Sequence, residues 1–112
     1  MTAVLLCRAD EIGEGEARGF LIGEGVTRRD IVVVRHADDL RAYLNACPHQ
    51  GTPLETFPDR FLNEDGSLFV CSTHGAHFRV GDGFCISGPC AGKSLQPITL
   101  AIEHGNVIVR LD

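Results

Sequence analysis

Two short segments, Cys47-Pro48-His49 and Cys71-Ser72-Thr73-His74, each offer one thiolate and one imidazole from a stretch that has room only for a tight turn. A fold that brings both segments to one point, with residues 50–70 between them, is constrained more by that meeting than by anything else in the chain. Together the segments make a site of two cysteine and two histidine donors. Sulfur combined with imidazole suits zinc or an iron–sulfur cluster. Common zinc patterns pair like with like, Cys with Cys and later His with His, at separations of about two to five residues. Here each pair is mixed, and a single residue separates the first. Gly51 and Gly75 follow the two histidines closely, and glycine lets a backbone lie against a bulky inorganic group.

On the segments Cys47-Pro48-His49-Gln50-Gly51-Thr52-Pro53-Leu54 and Cys71-Ser72-Thr73-His74-Gly75-Ala76-His77-Phe78, the sequence resembles the Rieske iron–sulfur family. It is more similar to the small ferredoxins of that family than to its membrane-anchored respiratory subunits. The resemblance runs through Leu5-Leu6-Cys7-Arg8, Ala46-Cys47-Pro48-His49, Gly88-Pro89-Cys90 and the closing strand pattern. It implies one 2Fe-2S cluster, with Cys47 and Cys71 on one iron and His49 and His74 on the other. It also implies that Gly88-Pro89 belongs to a third loop covering one side of the cluster. Residues 50–70 make a longer gap than in the oxygenase-type ferredoxins, and Pro58 with Asn63-Glu64-Asp65-Gly66 predicts an added hairpin there.

The same resemblance sets an expectation for reduction potential. Respiratory members carry a further cysteine pair joined as a disulfide between the ligand loops, where this chain has Thr52 and Thr73. They also place a serine and a tyrosine whose hydroxyls donate to cluster and ligand sulfur, where this chain has Ala76 and Phe78. Fewer donors stabilise the electron-rich reduced cluster less, which predicts the low end of the Rieske range, on the order of -150 mV. The resemblance further implies that the outer ring nitrogens of His49 and His74 face solvent, form the exit for electrons and make the midpoint pH-dependent in alkali.

At 112 residues the chain is sized for one domain, residues 1–112, with one core. A domain of this length buries only about 65% of its unfolded surface, so a cluster tying two distant loops matters to stability. Lys and Arg total 10 against 15 Asp and Glu, a net charge of -5, which argues against nucleic-acid binding and favours partners with basic docking faces. No apolar run reaches the roughly 18–20 residues of a membrane span, and the first residues lack the basic lead of a secretory signal. The expected location is therefore cytoplasmic, where a Cys85–Cys90 disulfide is not expected in steady state. A plant-type cluster on Cys85 and Cys90 fails, because the next cysteine of that spacing would fall at Lys93. Cys7 reads as a small buried apolar residue.

Short β-type runs occur at 4–7, 17–22, 31–35, 40–45, 67–70, 77–80, 84–87, 98–103 and 107–111, with Asp65-Gly66, Asp82-Gly83 and Gly105-Asn106 as turns. They predict an all-β antiparallel sandwich or barrel, and the resemblance implies its Rieske-type form with an inserted cluster-binding unit. The framework is expected at about 1–45 and 95–112, and the inserted unit at about 46–92. Residues 38–43 have room for one helical turn. Gly13, Gly15 and Gly19 form GxGxxxG without a strand-turn-helix unit, and read as a hairpin loop rather than a dinucleotide site. His36, His77 and His104 read as surface residues.

These readings converge on an electron carrier, not an enzyme in itself, serving a flavin-dependent reductase and a Rieske-type terminal oxygenase. The chain has no room for the mononuclear iron domain of such an oxygenase. Two alternatives stand beside it: a small Rieske subunit of a larger redox enzyme of the nitrite reductase type, and a zinc-held interaction module.

Overall fold

The computed structural model of the chain describes residues 2–23, 25, 28–46, 48, 54, 61–63, 66–71 and 75–111. Nine strands cover most of them: β1 Thr2–Arg8, β2 Ala17–Ile22, β3 Arg29–His36, β4 Asp39–Leu44, β5 Leu68–Val70, β6 His77–Arg79, β7 Cys85–Ser87, β8 Pro97–Glu103 and β9 Asn106–Leu111. The nine predicted runs are all present. The helical turn allowed at 38–43 is not, because Asp39–Leu44 pairs along its whole length with β3, with Leu44, Tyr43 and Ala42 opposite Ile31, Val32 and Val33. Among the described residues the helical structure is one 3-10 turn, Ala9–Glu11. The Glu11 carboxylate accepts from the Arg8 amide at 2.7 Å and closes it.

Six strands form one sheet in the order β1-β9-β8-β4-β3-β2, and three form another in the order β5-β6-β7, with every pairing antiparallel. The larger sheet turns sharply between β4 and β8, which pair only at Ala42–Ile98 and Tyr43–Pro97. Beyond that corner it curls, since Val107 and Val109 of β9 share a core with Ile31 and Val33 of β3 although two strands lie between them. This is the barrel-like, all-β architecture expected.

β3 explains how the two sheets are joined. Its run Ile31-Val32-Val33-Val34 is buried throughout, and alternate side chains enter different cores. Ile31 and Val33 face the barrel interior with Cys7, Ile12 and Ala42. Val32 and Val34 face outward to Phe61, Phe69, Phe78, Val80 and Leu95, which line the smaller sheet and the loops around it. A strand buried on both faces reads as a continuous apolar run rather than an alternation.

Tyr43 of β4 reinforces that seam. Its hydroxyl donates to the Val80 carbonyl at 2.8 Å, and its ring meets Phe69 edge-on with centroids 5.6 Å apart. Burial pushes the phenol pKa up, so it stays a proton donor across the ordinary range. Arg35 of β3 ties the 3-10 turn down by donating to the carbonyls of Ile12 and Ala9, both at 2.6 Å.

Two local expectations need correction. Gly19 lies inside β2, paired with Val32, so only Gly13 and Gly15 of the glycine trio belong to the loop before that strand. The last hairpin turns at His104-Gly105, one residue earlier than Gly105-Asn106, because Asn106 already pairs with Glu103. The Asp82-Gly83 turn is present, held by Arg79 bonding Asp82 and by the Phe84 amide donating to Asp82 at 3.0 Å. The expected hairpin in the long gap is visible where Leu62 bridges Phe69 and the Asn63 side chain accepts from the amides of Ser67 and Leu68. Pro58, Glu64 and Asp65 lie outside the described residues.

Candidate metal centre

Three loops meet at their described residues, with Leu54, Cys71 and Ala76 in one core and Gly88 against Ala76. The first leaves β4 and returns at Leu54. Its neck is closed by Asn45, which is only 6% exposed: the Asn45 amide donates to Asp30 and its side-chain oxygen accepts from the Leu54 amide, each at 2.8 Å. A buried asparagine at a strand end would be costly unless bonded, so this one holds the two ends of the loop together. Cys47 and His49 belong to that loop and lie outside the described residues, as does Thr52.

The second loop follows β5. Cys71 is fully buried at its neck, with its amide donating to the Ala76 carbonyl at 2.8 Å and its carbonyl accepting from the Gly75 amide at 2.7 Å. These bonds tie the two ends of the segment 71–76 together. His74 and Thr73 lie within it and outside the described residues. Of the four predicted ligands, Cys71 is thus the one whose setting is described. It shares a core with Leu54, Ala76 and Phe78, all fully buried. Soft sulfur in an apolar, water-excluding shell is the donor chemistry that an iron–sulfur cluster needs. Ala76 and Phe78 place no side-chain donor beside it.

The third loop is Ser87 to Gly92. Gly88 has φ 99°, and a Cβ there would fall 2.6 Å from the Ala76 Cα, closer than side-chain atoms approach backbone. Only glycine lets this loop lie flat on the second one. Gly88 thus lies against Ala76, two residues before Phe78 in the segment that begins at Cys71. Beside it, His77 Nδ1 and Ser87 Oγ are 3.2 Å apart. His77 and His36 are half-buried and His104 is exposed. Burial and the nearby Glu11 carboxylate push the Cys7 thiol pKa up, in keeping with a protonated, packing role in the barrel core.

Asn45, Tyr43 and the side-by-side placement of Cys85 and Cys90 escaped the sequence. The first two fell within the run 40–45, and only the returning chain at Leu54 and Val80 gives their side chains partners.

A protein-family model, the Rieske [2Fe-2S] domain, matches residues 2–103. The ferredoxin component of the alkene monooxygenase system of Xanthobacter autotrophicus (strain Py2) is 33% identical over 104 residues, covering 93% of this chain and 77% of that protein. The ferredoxin of carbazole 1,9a-dioxygenase from Nocardioides aromaticivorans IC177 superposes with a TM-score of 0.75 at 20% identity, with both chains fully covered. The terminal oxygenase of the same system superposes with a TM-score of 0.77 at 19% identity, over 98% of this chain and 30% of that one. The two structural likenesses concern the fold. The family match spans nearly the whole chain and includes both mixed Cys/His segments, so the protein belongs to the Rieske [2Fe-2S] domain family, whose cluster takes two cysteine and two histidine ligands.

Proposed function

We propose that Cys47 and Cys71 supply the thiolates and His49 and His74 the imidazoles for the 2Fe-2S cluster, and that the chain carries single electrons from a flavin-dependent reductase to a terminal oxygenase. The observation that carries this reading is Cys71, buried at the neck of a loop on which the Gly88 loop rests. When bound, the cluster supplies a one-electron couple whose potential two neutral imidazoles raise above that of all-cysteine clusters.

The rest is done by the chain. The Asn45 bond to Leu54 fixes the span of the first loop, and the two backbone bonds across 71–76 fix the second. Tyr43 anchors the smaller sheet on the framework through the Val80 carbonyl. The apolar surroundings of Cys71, without hydroxyl donors from Ala76 or Phe78, favour a potential at the low end of the family's range. Such a carrier turns over nothing alone.

The oxygenase partner is supported by the alkene monooxygenase ferredoxin relative and by a solved complex of oxygenase and ferredoxin in carbazole 1,9a-dioxygenase, which superposes with a TM-score of 0.74 at 24% identity. We assign residues 46–92 to the cluster unit and the flanking segments to the framework. No helix among the described residues is long and apolar enough to cross a membrane, and we propose a cytoplasmic location.

Purified holoprotein should give a mixed-ligand electron paramagnetic resonance signal after dithionite reduction, and Cys71→Ser and His74→Ala should each lose it. It should then accept electrons from a flavin reductase and pass them to an added oxygenase. An unchanged signal in both variants would refute the ligand assignment. A reduced protein that no oxygenase reoxidises, but that co-purifies with another redox enzyme, would transfer the role to the subunit alternative.

A further inference from the structure

Cys85 and Cys90 take no part in the proposed ligand set, yet their sulfurs are 3.4 Å apart. Both are buried in the core that holds Cys71 and Ala76. Cys85 donates its S–H to the Ser87 carbonyl at 3.1 Å, which leaves its sulfur to accept from Cys90. Their backbones are interlocked as well: the Cys85 amide bonds the Lys93 carbonyl at 2.8 Å, and the Lys93 amide bonds the Cys90 carbonyl at 2.9 Å. A disulfide has an S–S length of about 2.0 Å, so closure asks the two sulfurs to approach by about 1.4 Å.

The cover is thin. Ile86, Ser87, Gly88 and Pro89, which span the pair, are all exposed, so a small oxidant needs only a local opening of this loop. The same loop carries Gly88, which rests on the Ala76 backbone in the second ligand-bearing loop. The dithiol therefore stands at the two feet of the one loop that presses on 71–76.

We propose that Cys85 and Cys90 are a peroxide-responsive dithiol whose oxidation to a disulfide tightens the third loop over the second. A reduced electron carrier in air generates peroxide, which supplies the oxidant. One thiolate attacks peroxide, giving a sulfenic acid and water, and the neighbouring thiol displaces the hydroxyl as a second water while the S–S bond forms. Two thiols are oxidised and one peroxide is reduced to two waters, and an external dithiol reverses the change by thiol–disulfide exchange. Closing so short a ring restrains the loop in its folded position, which should slow iron release on the order of tenfold. The crosslink does not depend on the ligand assignment. Its effect on iron release does.

The test is peptide mapping of anaerobically purified holoprotein after stoichiometric hydrogen peroxide. Cleavage after Arg79 and Lys93 leaves both cysteines in one peptide, 80–93. That peptide should become lighter by two hydrogens and regain them with dithiothreitol. Cys7, in the separate barrel core, should stay fully alkylatable and serves as the internal control. Iron release to a ferrous chelator should slow in the oxidised wild type but not in peroxide-treated Cys85→Ser or Cys90→Ala. If both cysteines remain alkylatable, or carry separate sulfur acids, at a peroxide level that bleaches the cluster, the dithiol assignment is wrong. A reversible crosslink with unchanged iron release would overturn the coupling to the ligand loop and leave only a buried disulfide.

Discussion

Alanine in place of Gly88 separates the two demands that this position makes. The first is conformational: at φ 99° an L-residue sits in the left-handed region, at a cost of about 1–2 kcal/mol. The second is steric. The new Cβ would lie 2.6 Å from the Ala76 Cα and 3.2 Å from its nitrogen, and because these are backbone atoms the loop itself must lift. Overpacking of this kind adds about 1–3 kcal/mol. Gly92 supplies the control, since it has φ 93° but no heavy atom within 4 Å of the same ideal Cβ. Gly92→Ala should therefore cost only the conformational part, and Gly88→Ala about 2–5 kcal/mol in all. For a chain of this length that is a fall in thermal midpoint of about 4–8 °C for the control and about 8–20 °C for Gly88→Ala. Anaerobic melting of the holoprotein, followed by visible absorbance and by iron release to a chelator, reads both quantities. Equal losses in the two variants would refute the claim that the third loop is seated on the second.

Three further outcomes follow from contacts described above. Asn45→Ala leaves the Leu54 amide buried without its acceptor and should cost about 1–3 kcal/mol, with faster iron loss; Asn45→Asp keeps an acceptor and should be milder, and equal effects on denaturation would contradict the neck role. Tyr43→Phe keeps the ring on Phe69 but orphans the Val80 carbonyl, so a loss of about 1–2 kcal/mol is expected in denaturant titration, and a neutral result would remove Tyr43 as a pin between the sheets. Glu14 accepts from the amides of Asp38 and Ala37, and the Asp38 bond chiefly holds its carboxyl below the usual range. The folded state then binds fewer protons than the unfolded one, so this stabilisation is present above the ordinary carboxylate pKa of about 4.3 and is lost as pH falls through the lower folded value. The thermal-midpoint gap between wild type and Glu14→Gln should shrink as pH drops from 7 to 3, and a gap independent of pH would rule out the linkage.

The strands were legible because each is short, rich in β-branched or aromatic residues and bounded by a turn dipeptide. Gly19 fell both in the strand run 17–22 and in the glycine trio read as a loop, and its pairing with Val32 decides for the strand. The extra room for a helical turn at 38–43 vanished for a similar reason, since pairing with β3 decides the conformation there. At the site, residue types and spacing were enough to name the chemistry, because the ligand donors are carried in two compact segments. What holds those segments was hidden. Asn45 finds Leu54 across a whole loop, and Gly88 finds Ala76 across two strands; such contacts exist only once the chain has returned on itself. Cys85 and Cys90 were read as failing a plant-type cluster spacing, and their meeting depends on the bend between them.

The double burial of β3 ties the fate of the metal-bearing half to that of the barrel. A change of volume at Val32 pushes on Phe69 and Phe78 through one face of the strand, and any backbone shift that relieves it moves Ile31 and Val33 on the other. Neither half has a wall of its own to yield. The molecule should consequently melt in one step, and engineered tuning of the redox end will be felt as altered heat tolerance of the barrel core that β9 shares with β3.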